Sequence, residues 1–344
     1  MIKALVLGEL CEDILLHNPA GVEVMGQKTW AKDIVLSAGG STYYTGAALL
    51  HLGADVKISS VLGTDEAGDR VYNQMMLDGL NICHTERLPG RKTTKSMMVC
   101  DGGDKQFIGC TPMLPLKIPE WLALKGSDLF YIAGYTLYPE LWEEEMVNLC
   151  CKAKRHGVCI AMDSQLLPIV GDNLAQISKL DQILPYVDIF FTAKKEADRL
   201  YGTRDLKECY ARMEAMGFRG QLVLKSGSEG CQVKDLTGEI QEPAFPVKAY
   251  DTVGSGDVFG AAYCWARCNG GETRYCARFA AACTALSIQE YRSGHYDRNL
   301  TTTSGDVTLH VPHLKSISFE TAIIERYRRR ESSVEEALIE MYPP

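Results

Sequence analysis

The chain carries no excess of positive charge: 36 Lys and Arg stand against 44 Asp and Glu, a formal net charge of −8. A protein that grips nucleic-acid phosphates needs a basic surface, so that class is disfavoured. No apolar run approaches the ~20 residues that span a bilayer. Residues 1–8 run into a carboxylate at Glu9, so the chain's start lacks the apolar stretch of a signal peptide. None of the thirteen cysteines forms a Cys-x-x-Cys pair, which removes zinc-knuckle and thioredoxin-like readings. Their number is odd, and several, such as Cys159 and Cys283, fall in segments that read as core. Small buried hydrophobes in a reducing cytosol account for them. His310-Val311-Pro312-His313 is interrupted by proline, has no third ligand nearby and reads as surface loop. Internal repeats and low-complexity tracts are missing too. These absences predict a soluble cytoplasmic protein with neither membrane nor nucleic acid as partner.

What is present is alternation. A strand at 2–7 is followed by a helix at 41–52 closed by Gly53, a strand at 56–62 and a helix at 66–78 stopped by Gly79. Strands at 128–132, 158–162, 187–191 and 221–225 follow, with helices at 139–155, 256–268 and 272–291. Repeated β-helix-β units predict an α/β fold, three layers with a mainly parallel central sheet. Two stretches break the rhythm, one within 14–36 and one within 93–111 that turns at Asp101-Gly102-Gly103-Asp104. Both read as antiparallel ribbon, together one small β-sheet forming a lid over the C-terminal edge of the main sheet. The whole of 1–344 is read as one domain, with 315–344 a helical tail whose Arg328-Arg329-Arg330 is a solvated face.

The sharpest local feature is Asp251-Thr252-Val253-Gly254-Ser255-Gly256-Asp257, immediately before an alanine-rich helical pattern. Two glycines flanking a serine let consecutive N–H groups converge where the helix dipole also favours negative charge. Such an anion hole suits a phosphoryl group in flight, and Asp257 can then accept a proton from an attacking hydroxyl. The plain alternative is a glycine turn with Asp257 as a helix cap.

Four further pieces accompany it in order: Gly8-Glu9-Leu10-Cys11-Glu12-Asp13; Gly39-Gly40 opening a helix that ends Leu49-Leu50-His51-Leu52-Gly53; Gly63-Thr64-Asp65-Glu66-Ala67-Gly68-Asp69; and Leu224-Lys225-Ser226-Gly227-Ser228-Glu229-Gly230. Together they span about residues 3–294 and resemble the ribokinase-like (PfkB) family of sugar and nucleoside kinases. The resemblance implies Asp257 as base, with the Gly254, Ser255 and Gly256 amides as anion hole. It implies substrate contacts at Asp13, Gly39, Gly40 and position 44, and nucleotide contacts at Lys225, Gly227, Gly230 and Thr252. It further implies Mg²⁺-ATP as phosphoryl donor, with Glu196 holding the metal through water, and allows K⁺ near Asp251 and Val253. Many members of the family dimerise through the lid, so a homodimer is expected.

Three departures bear on substrate and rate. Tyr44 stands where sugar kinases of the family commonly have Asn, exchanging an amide for a phenol. The usual Asn-x-x-Glu appears as Ala193-Lys194-Lys195-Glu196, and Lys225 replaces the common Thr before the nucleotide turn. The expected activity is transfer of a γ-phosphoryl group to a hydroxymethyl group of a sugar or sugar derivative. The alternatives are a nucleoside kinase of the same family or a non-catalytic ligand-binding relative. A nicotinamide-dependent dehydrogenase fails, because Gly8 is followed by Glu9, Leu10 and Cys11 rather than a Gly-x-Gly-x-x-Gly turn.

Overall fold

Alternation along the first strand, β1 (Lys3–Gly8), decides the layering. Ala4 and Val6 enter one core while Leu5 and Leu7 enter the other, so both faces of the strand need cover. The computed structural model describes residues 1–17, 30–101, 104–109, 113–165, 179–289, 295–302 and 305–312. On one side of β1 lie β4 (Asp55–Gly63) and β5 (Asn81–Leu88); on the other lie β8 (Leu129–Ala133), β9 (Cys159–Asp163), β10 (Ile189–Ala193) and β11 (Gln221–Lys225), all parallel. An antiparallel pair, β12 (Cys231–Lys234) and β13 (Glu239–Glu242), completes a nine-stranded sheet.

Helices α1 (Ser41–His51), α2 (Glu66–Leu77), α7 (Ser255–Cys268) and α8 (Thr273–Ser287) contribute to the core on one face of this sheet. The opposite core takes side chains from α3 (Trp121–Leu124), α4 (Glu144–Arg155), α5 (Lys194–Tyr201) and α6 (Leu206–Ala215). The three-layer expectation therefore holds. The helix expected over 139–155 is in fact a 3₁₀ turn, Pro139–Trp142, followed by α4. Glu143 between them is extended (ψ 162°), and the Trp142 indole is held by the Tyr135 carbonyl at 3.0 Å. The strand at Asn81–Leu88 and the pair β12–β13 escape the sequence reading. Their apolar residues are few, because they lie at the sheet's polar edges.

The two rhythm-breaking stretches form a second sheet of four strands, ordered β3 (Asp33–Gly39), β2 (Cys11–His17), β6 (Lys95–Asp101), β7 (Asp104–Gly109). The outer pairs are antiparallel and the central β2–β6 pair is parallel. Asp13 belongs not to the first strand but to β2. Only Glu9 and Leu10 separate β1 from it, and that short turn carries the chain from the large sheet into the small one. Glu12, on the same strand, is buried between Arg70 of α2 (2.6 Å) and Lys95 (3.6 Å), tying the small sheet to the body of the protein.

Register sorts the small sheet's faces. Leu36, Ile14, Met97 and Ile108 lie side by side across all four strands, and Leu36 and Ile108 are about half exposed (49% and 51%). On the other face Leu15 and Met98 are buried and pack with Tyr44 and Val253. Phe107 registers with Met98 and so belongs to this inner face. Val24 and the segment 315–344 lie outside the described residues. The backbone of His310–Pro312, read as loop, lies in the strand Gly305–Pro312, antiparallel to His295–Thr302. The predicted end of the last helix at 291 moves back to Ser287.

One packing contact runs against helix propensity. A Cβ at Gly260, inside α7, would lie 2.3 Å from the hydroxyl of Tyr131, which is fully buried in β8. Alanine is the better helix former by about 1 kcal/mol, yet overpacking a rigid core commonly costs about 1–3 kcal/mol. Gly260→Ala is therefore expected to lower Tm, measured by calorimetry; an unchanged or raised Tm would show that Tyr131 yields.

Candidate active site

The C-terminal ends of β1, β8, β9, β10 and β11 and the N-terminal ends of α1 and α7 converge at one edge of the large sheet, the usual ligand edge of an open parallel sheet. The inner face of the small sheet meets the same place through Tyr44 and Val253.

Asp257 lies in the first turn of α7, whose N-cap is Gly254 in the left-handed region (φ 67°). A side chain there would be strained and would also strike the Tyr44 ring, 2.7 Å from the Cβ position. The Ser255 amide donates to the Thr252 carbonyl at 3.2 Å, which corrects its place in the expected anion hole. Gly256 sits second in the helix, where an amide has no intrahelical acceptor. The Lys225 ammonium lies 3.3 Å from where a Gly256 Cβ would stand, so this lysine turns inward beneath the helix start. It pairs with buried Asp163 at 2.5 Å. Burial works to lower the Lys225 pKa, but Asp163, Glu196 and Asp257 outweigh it and leave it raised, keeping the ammonium charged.

Asp13 is fully buried. Tyr44 donates its phenol proton to one carboxylate oxygen, while Ser96 and Cys11 (3.2 Å) donate to the other. Gly39 is needed for this side chain: a Cβ there would lie 2.1 Å from the Asp13 carboxyl carbon. Gly40 (φ 88°) backs onto the Glu9 carbonyl in the same way, 2.5 Å from its Cβ position. The close approaches at Gly39 and Gly40 are thus made by the protein's own Asp13 side chain in β2 and Glu9 carbonyl in the β1–β2 turn. Likewise Gly230 abuts the backbone of 242–244, whereas Gly227 (φ 58°) has open space above it.

Glu196 caps α5 in place of the missing asparagine. Its carboxylate accepts from the Ala193 amide (2.8 Å) and the Ser164 hydroxyl (2.9 Å). Among the described residues no three His, Cys, Asp or Glu side chains are grouped to hold a metal. Asp251 is buried, with one oxygen accepting from Val253 N (2.8 Å) and the other without a hydrogen-bond donor among the described residues.

Sequence reasoning named neither Asp163 nor Gln165, although the first ends β9 and the second lies two residues beyond it at the sheet's ligand edge. That position was the available signal. Ser96 gave none, because only the β2–β6 register brings it to Asp13. Glu9 was quoted within a motif without a role; burial together with Asp13 and Asp257 pushes its pKa up to about 7.

An amide-bearing helix start, a charged lysine beneath it and a carboxylate in its first turn form an arrangement that can hold a phosphoryl group beside a base. The pfkB family carbohydrate kinase profile matches residues 1–298, and the chain belongs to that family, whose members are phosphotransferases with an alcohol acceptor. It is similar to a ribokinase of Bacillus subtilis (23% identical, covering 73% of this chain and 80% of that protein) and to an ATP-dependent ribose-1-phosphate kinase of Halopiger xanaduensis (24%, covering 83% and 92%). Its fold matches Arabidopsis thaliana ribokinase complexed with ribose and ATP, with a TM-score of 0.67, 20% identity, and coverage of 85% of this chain and 94% of that one. A second profile, of Mutator-family transposases, matches residues 279–343; it overlaps α8, which is packed in the kinase core.

The Glu9 environment has a measurable consequence. A carboxyl raised from 4.5 to about 7 in the folded protein contributes full stability below pH 4.5 and loses it as pH rises toward 7. Glu9→Gln should match wild type in Tm at pH 4 and exceed it at pH 8. A Tm difference that does not change with pH would remove Glu9 from the cluster.

Proposed function

We propose that this protein transfers the γ-phosphoryl group of ATP to a hydroxymethyl group of a sugar or sugar derivative. The observation that carries the reading is Asp257 in the first turn of α7, with Gly256 over the Lys225 ammonium. The acceptor oxygen attacks the γ-phosphorus, its proton passes to Asp257, and the bond to the β,γ-bridging oxygen breaks to release ADP. The Gly254 and Gly256 amides, the helix dipole and Lys225 stabilise charge on the phosphoryl oxygens. Asp13, Tyr44 and the Gly39-Gly40 backbone form the sugar side, and Tyr44, wedged between Asp13 and Gly254, sets its shape. Gly227, Gly230 and Thr252 form the nucleotide side.

Magnesium, when bound with the nucleotide, neutralises charge on the β- and γ-phosphates. Glu196 fits contact through water, since protein donors already engage its carboxylate. A fold neighbour from E. coli holds ATP and Mg²⁺ (TM-score 0.68, 20% identity, 84% and 94% coverage). The donorless oxygen of Asp251 fits a monovalent cation such as K⁺. Free buried thiols suit a reducing compartment, and we place the protein in the cytoplasm.

Asp257→Asn should leave ATP affinity nearly intact while lowering turnover by about 10²–10⁴-fold. Near-normal turnover would rule out Asp257 as the base.

The apolar row Leu36, Ile14, Met97 and Ile108 supports a homodimer in which two lids cover each other's outer faces. Light scattering should give twice the 38.0 kDa chain mass, and Leu36→Glu should halve it. A wild-type mass of one chain at every concentration tested would exclude the dimer.

A further inference from the structure

Among the described residues Gln165 alone, apart from glycines, has a positive φ (39°). It immediately follows β9 and Ser164, in a turn that its neighbours over-determine. Thr136 donates to the Ser164 carbonyl at 2.7 Å and to that of Gln165 at 3.3 Å. The Ser164 amide donates to the Phe191 carbonyl at 3.0 Å, and the Ser164 hydroxyl to Glu196. Left-handed backbone in a residue with a β-carbon is costly and persists where the surroundings hold it. Here the result is a side-chain amide delivered across the site, with Nε2 3.1 Å from Oδ1 of Asp257. The acceptor is a carboxylate, so the amide must present its N–H₂ group.

We propose that Gln165 is a positioning residue for Asp257, its amide holding Oδ1 and so fixing how the carboxylate faces the acceptor hydroxyl. The role rests on the reading of Asp257 as the base. A flexible carboxylate in the first turn of a helix can rotate toward the helix amides or toward Lys225; a fixed donor on Oδ1 removes that freedom. The same donor favours the ionised carboxylate and so extends activity to lower pH. Among the described residues, charged or titratable groups acting on Asp257 include Glu9 beyond β1, Tyr131 of β8, Asp163 of β9 and Lys225 of β11. Glu9 and Asp163 work against ionisation and Lys225 works for it, so Gln165 adds a neutral donor to an otherwise crowded acidic site.

The test uses the full chain with aspartate labelled at the carboxyl carbon, the Asp257 resonance being the one missing from Asp257→Asn. In Gln165→Ala the carboxyl should titrate about one unit or more higher than in wild type, the scale of one hydrogen bond to a charged group. In the near-isosteric Gln165→Glu it should titrate higher still. With the sugar that wild type turns over fastest from a panel of ribose, fructose and ribose 1-phosphate, kcat of Gln165→Ala should fall about 10–100-fold with KM for ATP within about twofold. The acid limb of its pH profile should move toward neutrality. An Asp257 titration unmoved in both variants overturns the proposal whatever the activity. If the titration moves but Asp257→Asn turns over normally, the contact stands and the assignment of Asp257 as base fails.

Discussion

Crowding of like charge is the constraint on which this molecule's architecture turns. Glu9, Asp13, Asp163, Glu196 and Asp257 gather at one edge of the large sheet from four different stretches of the chain. Left uncompensated in a half-buried site, such a group would take up protons rather than remain charged. The fold supplies the compensation in two forms: a lysine at the end of β11 and the amide-bearing start of α7, which point at the same spot. Each arises from a parallel β/α layout, in which strand ends and helix starts share one rim. An anionic nucleotide is the chemical complement of the cationic half of that rim. A hydroxyl-bearing acceptor is the complement of the acidic half.

The small sheet belongs to this balance and is more than a cover. Its central strand β2 brings Asp13 to the rim, and its other central strand brings Ser96 to donate to that carboxylate. Tyr44, from α1, donates to Asp13 while its ring covers Gly254. One side chain thus links Asp13 to the start of α7. An asparagine has no ring to cover Gly254, so under the proposed function the departure at Tyr44 changes the shape of the sugar side. Glu12, facing away from the rim on the same strand, fastens the sheet to α2 through Arg70.

The central strands, the helices that cover them and the glycine-framed helix start were legible in the sequence. Each is set by local signals: apolar periodicity, a glycine at a helix end, two glycines around a serine. The four-stranded lid was legible as two interrupted stretches, because breaks in an alternating pattern are themselves local. Edge strands such as Asn81–Leu88 were not, since a strand solvated on one side and at one edge has little apolar pattern to show.

What the chain determined by itself is therefore the family, the layering and the identity of the residue in the first turn of α7. What only tertiary structure decided is which groups surround that residue. Lys225 turned inward, and Asp163 became its partner. Gly39 and Gly40 proved to be shaped to the protein's own Asp13 side chain and Glu9 carbonyl. Gln165 reached Asp257 from 92 residues away along the chain. The physical reason is that local pattern records which face of an element is buried, whereas distance between side chains depends on strand order and register. Those are settled only when the whole sheet forms.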